Sequence, residues 1–208
     1  MRIILKYFPT LTLEQILRFE KLAPLYRGLN TWGNIIPRKD VDLLYERHIL
    51  HSLAISKVIS FSPGSKILDV GTGGGFPGIP LAILFPACQF TLVDSMRKRI
   101  KVVQAVVDEL ELTNVEAIHG NVEDIYEEFD FVVSRAVKAF PDLVGLVKKN
   151  ISQQFQNTCK NGIIYLKGGN FEEEIEFFRQ TIKVQEIQKY FTEPFFETKK
   201  VIYLPVYK

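Results

Sequence analysis

The chain has 208 residues, 47% hydrophobic and 24% charged, with a formal net charge of +2. That balance excludes disordered and fibrous proteins, and the length excludes two full enzymatic domains. So small a net charge permits a nucleic-acid partner without requiring one, and the absence of a secretion signal or of an apolar run near the roughly 20 residues of a membrane span points to the cytoplasm.

Residues 1–60 read as a helical extension packed on the remainder, because about 60 residues alone make only a marginal core. After Thr12 as N-cap, Leu13, Ile16 and Leu17 form an apolar stripe beside a face bearing Glu20. A loop follows through Gly28, Asn30, Gly33, Asn34 and Pro37. Asp40 is expected to cap a second helix whose stripe is Leu43, Leu50, Leu53, Ala54 and Val58, ended by Ser62-Pro63-Gly64. On it Arg47, His48 and His51 recur at helical spacing, turned to a ligand mouth or merely to solvent.

Residues 61–208 alternate strand and helix, the pattern of an α/β fold with a mainly parallel, Rossmann-like sheet. Strands are expected at 66–70, 90–94, 115–118, 129–134 and 162–167. The helix after the second carries Ile100, Val103, Val107 and Leu110 inward. Asn170 and Glu173 resemble a capping box opening a helix with Ile175, Phe178 and Ile182 on its inner side. Two last strands, near 183–191 and 199–206, have no helix between them, so a terminal hairpin completes a seven-stranded sheet. Cys88 and Cys159 are far apart in no metal-like spacing, so they imply neither a disulfide framework nor a zinc site and read as buried thiols.

The first strand runs straight into Gly71-Thr72-Gly73-Gly74-Gly75-Phe76-Pro77-Gly78. Gly71, Gly73 and Gly75 satisfy the GxGxG of S-adenosylmethionine (SAM) binders, while Gly73, Gly75 and Gly78 satisfy the GxGxxG of dinucleotide binders. Asp69 favours SAM: a carboxylate in a buried strand is costly without a task, and SAM brings a sulfonium and an ammonium where a dinucleotide brings a pyrophosphate. Asp94, ending the second strand, suits both ribose hydroxyls. Val122 and Glu123, after the third, suit an adenine edge. Arg135, after Ser134 and before Ala136, leaves the fourth strand for an anionic or carbonyl partner, and Lys167 takes the corresponding place on the fifth. Arg97, Lys98, Arg99 and Lys101 are the densest basic cluster, a solvated face or an RNA contact. Histidine pairing at 48 and 51 lacks a carboxylate at ligand spacing, so no metal is expected.

The run Asp69-Val70-Gly71-Thr72-Gly73-Gly74-Gly75-Phe76-Pro77-Gly78-Ile79-Pro80-Leu81-Ala82-Ile83 resembles the signature of the bacterial ribosomal small-subunit methyltransferase G family, also called glucose-inhibited division protein B. Val93-Asp94-Ser95 with Arg97-Lys98-Arg99, Ser134-Arg135-Ala136, Leu166-Lys167-Gly168 and Arg47-His48-Ile49-Leu50 are similar to the family in order and spacing. The resemblance implies a class I SAM-dependent fold and methyl transfer to guanosine N7 in the 530 loop of 16S rRNA, at position 527. It implies Gly71, Phe76, Val122, Glu123 and Arg135 as cofactor positions, with Asp94 as the ribose acid. Arg47, His48, the 97–101 cluster and Lys167 are expected to face the RNA, free or in a small-subunit particle, and the chain to act as a monomer. His51 stands where many members carry aspartate. A SAM-dependent enzyme acting on a small molecule or a protein is the alternative.

Overall fold

A computed structural model describes residues 1–32, 35–135, 138–154 and 156–206. Helix α1 (Arg2–Tyr7) is followed by α2 (Leu13–Leu29), which opens as the sequence requires: Thr12 Oγ1 accepts from Gln15 N, and the Gln15 side chain accepts from Thr12 N. Its buried face differs from the expected stripe. Leu13 and Leu17 are exposed, and the helix buries Phe19, Leu22, Tyr26 and Leu29, because a larger aromatic-rich face was available three residues further round.

The second expected helix is a composite. A π-helical stretch at Tyr45–Leu50 passes into α3 (His51–Leu53) and a 3₁₀ turn at Ala54–Lys57. Asp40 does not cap it; that carboxylate instead accepts from Arg47 at 2.6 Å, a charge-assisted bond stronger than a neutral cap. Gly33 and Asn34 of the intervening loop lie outside the described residues.

Strands β1 (Lys66–Val70), β2 (Gln89–Asp94), β3 (Val115–His119), β4 (Phe131–Arg135), β5 (Gly162–Gly168), β6 (Lys183–Glu186) and β7 (Lys199–Pro205) form one sheet in the order β3-β2-β1-β4-β5-β7-β6. Strands β1 to β5 pair in parallel, and the terminal hairpin adds β7 and β6 antiparallel. The order reverses between β1 and β4, which opens a crevice at the carboxyl ends of the strands. Helices α4 (Gly78–Leu84), α5 (Arg97–Glu109), α6 (Phe140–Val147) and α7 (Glu172–Ile175) complete the layers. Between β3 and β4 stands a single 3₁₀ turn at Val122–Asp124.

One side of the sheet packs Ile67, Phe90, Leu92, Phe131 and Val133 with α4, α5 and, from the N-terminal segment, Phe19, Leu22, Leu50 and Leu53. The other packs Leu68, Val132 and Ile163 against Phe140, Leu143 and Val147 of α6. The expected capping box at Asn170 is replaced by a shorter arrangement. Asn170 Oδ1 accepts from Glu172 N, Phe171 takes the cap position, and α7 gives way to a 3₁₀ turn at Glu176–Phe178. Cys88 is buried, whereas Cys159 is only half-buried.

Gly162 opens β5 where the chain of β7 crosses closest; an added Cβ would collide with the Leu204 carbonyl oxygen, a backbone atom with little room to move. Gly162→Ala is therefore expected to destabilise the fold by on the order of 3 kcal/mol in chemical denaturation, the upper range for overpacking. A loss within 0.5 kcal/mol would show that the hairpin shifts freely.

Candidate functional site

The loop after β1 folds back on the end of β2. Gly71 N and Thr72 N both donate to Val93 O, and Gly73 N donates to Asp94 Oδ2 at 2.9 Å. Gly73 and Gly75 take φ of +59° and +90°, a region that side chains disfavour. At Gly75 a Cβ would also strike Ile79 Cδ1, so helix and loop approach closely only with glycine there.

Beneath the loop lies Asp69, with no exposed surface. Its Oδ2 accepts from Thr72 Oγ1 at 2.6 Å and Gly78 N at 2.8 Å, tying strand, turn and the start of α4 together. Its Oδ1 is buried with no partner among the described residues. Burial pushes the carboxyl up to about 7, against the two hydrogen bonds and the Arg135 charge that favour the anion.

Asp94 is also buried, at 3% exposure. Oδ1 accepts from Met96 N at 2.9 Å, and Oδ2 accepts from Gly73 N and, at 3.2 Å, from Arg99. Arg99 thus also forms a wall of the cavity, though it stays as exposed as its neighbours, because the first turn of α5 starts close enough for its side chain to reach back. Arg97, Lys98 and Lys101 remain exposed.

Arg135 ends β4 and is largely enclosed. It donates to His48 Nδ1 at 3.0 Å and to Arg47 O at 3.3 Å, and its guanidinium carbon lies 5.3 Å from the centre of the Phe76 ring. All three neighbours are neutral. Burial lowers Arg135 to about 10, which leaves it a cation near neutral pH, and burial together with the Arg135 charge lowers His48 to about 3. His48 is therefore a neutral acceptor that orients Arg135. His51 is held neutral in the same way, enclosed by Phe195 and Phe196.

A cavity of about 640 Å³ joins these parts. Of the expected site residues, Gly71, Gly73, Phe76, Asp94, Val122, Glu123, Arg135, His48 and Arg99 line it. Asp69 and Gly75 support it from below. Two expected cations are committed elsewhere: Arg47 to Asp40, and Lys167 to Glu174 at 2.9 Å. Ala136, beside Arg135, lies outside the described residues. Sequence reasoning missed Thr72, Ile35, Pro37, Lys138, Leu143 and Leu146 in the wall, and Tyr26, whose hydroxyl donates to Gly74 O. Thr72 sits inside the glycine run and was legible there; the others arrive from distant segments with no local signal. Among the described residues, no three His, Cys, Asp or Glu side chains are disposed around a metal, and no helix is long and apolar enough to cross a membrane.

The model of the family described as rRNA small subunit methyltransferase G matches residues 15–203. A ribosomal RNA small subunit methyltransferase G of Flavobacterium johnsoniae is 54% identical over 98% of this chain and 97% of its own. The protein of that name from Bacteroides thetaiotaomicron is 52% identical over 98% of both chains. Among solved structures, a precorrin-6y C5,15-methyltransferase from Geobacter metallireducens superposes with a TM-score of 0.58 at 12% identity, covering 84% of this chain and 92% of that one. The M. jannaschii tRNA m1G37 methyltransferase gives 0.56 at 14% identity, over 76% of this chain and 49% of its own. At those identities the likeness is one of fold, and the fold is the Rossmann-like class I methyltransferase sheet.

Proposed function

The chain belongs to the rRNA small subunit methyltransferase G family, and from that premise we propose that it methylates N7 of a guanosine in 16S rRNA, at position 527 of the 530 loop. It is a SAM-dependent methyltransferase of rRNA. When bound, SAM supplies an electrophilic methyl group on a cationic sulfur. The observation that carries the cofactor reading is the pair of buried carboxylates, Asp69 and Asp94, bracketing the glycine turn. A pyrophosphate would be repelled there, whereas the field of the two carboxylates, Asp69 acting from beneath the turn, suits a cationic ligand.

In this reading Asp94 takes the ribose hydroxyls, Val122 and Glu123 the adenine edge, Gly71 and Gly73 allow close backbone approach, and Phe76 and Arg135 close the methionine end. A carboxylate offers about four lone-pair sites and three donors are present, so one site is open for a ribose hydroxyl and the second hydroxyl takes the place of the 3.2 Å contact from the half-exposed Arg99. Asp94→Ala is expected to weaken SAM binding roughly 10- to 100-fold by calorimetry, the worth of one charge-assisted bond or more. Unchanged affinity would remove the ribose assignment.

Transfer to N7 needs no general base, because that nitrogen carries a free lone pair. This agrees with a cavity whose one histidine is occupied by Arg135. The chain's contribution is alignment of N7 with the methyl carbon and sulfur and exclusion of water, a source of effective molarities of roughly 10⁵–10⁸ M. Arg97, Lys98 and Lys101 are proposed to meet RNA phosphates, each contact adding about 0.7–0.9 to the salt slope. The chain is proposed to act as a monomer, and the rRNA substrate supports a cytoplasmic place of work.

The test is methyl transfer from radiolabelled SAM to small-subunit rRNA, naked and assembled, followed by reduction and aniline cleavage. N7-methylguanosine opens its imidazole ring under these conditions, so scission at one site is expected. Label appearing instead in protein, a small molecule or an exocyclic amine would overturn the reading.

A further inference from the structure

The hairpin that closes the sheet delivers two lysines to the rim of the crevice. Lys199 and Lys200 open β7 opposite Gly168 and Lys167 at the end of β5, while Arg135 at the end of β4 stands opposite Leu166. Two strand spacings, about 10 Å, therefore separate β7 from the strand that carries Arg135. Lys199 lies across Gly168, where an added Cβ would fall 2.6 Å from its ammonium. Lys138 reaches the same rim from the start of the segment that leads into α6, lines the cavity, and is pinned by a 2.8 Å hydrogen bond from Tyr165 Oη to its carbonyl.

The three charges share one property, although Lys199 and Lys200, consecutive on β7, turn to opposite faces of the sheet and so flank the rim from both sides. None has a carboxylate within ion-pair distance among the described residues. Lys199 and Lys200 are held instead over the rings of Phe195 and Phe171, at 5.0 and 5.7 Å, contacts that position an ammonium without neutralising it. Neighbouring Lys167 differs, since Glu174 accepts from it with both oxygens. The acids of α7 thus bound the rim on one side, and the free positive charge sits along it, with Lys199 on one face of the sheet and Lys200 on the other.

We propose that Lys138, Lys199 and Lys200 form the docking surface for the RNA backbone that flanks the methyl-accepting base. The assignment rests on the cofactor reading above. If Asp94 and Glu123 hold the adenosine at the ends of β2 and β3, the reactive end of the cavity faces β4 and β5. A base entering there brings its adjoining phosphates onto the β5–β7 rim. The basic residues of α5 follow β2 and flank the adenosine side, so the two patches grip different stretches of RNA.

The experiment compares the parent, a K199Q/K200Q variant and a K138Q variant in binding to small-subunit rRNA, naked and as the assembled particle, over a series of salt concentrations. Calorimetric SAM affinity and the unfolding midpoint are measured in parallel. The double variant is expected to lower the log–log salt slope by about 1.4–1.8 and K138Q by about 0.7–0.9, with SAM affinity and folding unchanged in the double variant. A parental slope in both variants overturns the docking surface and leaves the methyltransferase reading standing. A parent that binds neither form of the RNA in a salt-dependent way overturns both.

Discussion

Replacing Arg135 with lysine is expected to cut kcat/KM roughly 10- to 100-fold, although the charge is kept. The guanidinium is fixed by His48 Nδ1 and Arg47 O on one side and by the Phe76 face on another. Arg135 also lines the cavity, and these contacts use only two of its five N–H donors. Lysine presents a point charge on a flexible stem, with no fork and no plane to lie on the phenylalanine, so one charge-assisted bond worth about 1.5–3 kcal/mol is lost. Burial adds to the effect, since an ammonium there is desolvated without the neutral acceptors arranged for it. Titration of SAM locates the partner: weaker SAM binding assigns Arg135 to the cofactor carboxylate, whereas a raised KM for RNA with SAM affinity intact assigns it to the substrate. Full activity in Arg135→Lys would overturn the bidentate role, leaving Arg135 as one more buried cation.

Why the sequence revealed the floor of this site and concealed its walls follows from the range of the interactions. The strand at 66–70, the glycine turn and Asp94 are encoded within one β-turn-α-β stretch, where apolar runs and glycine spacing carry the signal directly. The seven strands were legible for the same reason. Arg135 could be singled out by its place at a strand end, but its partner His48 is 87 residues earlier, and no local pattern joins them. Asp40 had the right residue type for a helix cap and was taken by Arg47, because a charge-assisted bond to a residue seven positions on outweighs a cap. Leu13 and Leu17 satisfied helical periodicity as well as Phe19, Leu22 and Tyr26 did. Which stripe turns inward depended on what the sheet offered opposite it. That Arg99 alone of the basic cluster reaches Asp94 depended on where α5 begins relative to the strand end.

SAM affinity is expected to fall as pH drops below about 7, and Asp69 is the reason. Burial raises its folded-state value from 3.8 to about 7, so near neutrality the ligand-free protein is an even mixture of acid and anion. A sulfonium and an ammonium favour the anion, so binding must expel the proton from the fraction that holds it. The dissociation constant should therefore be level above about pH 8 and weaken towards tenfold per unit on the acid side, with proton uptake by the buffer visible in calorimetry. Stability of the ligand-free protein runs the opposite way. The folded state binds the proton more tightly than the unfolded chain, so the contribution is fully present below 3.8 and lost as pH rises to about 7. At about 1.36 kcal/mol per unit this amounts to on the order of 4 kcal/mol. Asp69→Asn should flatten both profiles while Thr72 and Gly78 keep an oxygen to donate to. A dissociation constant constant from pH 6 to 8 in the parent would confine Asp69 to holding the turn and remove it from recognition of the cationic ligand.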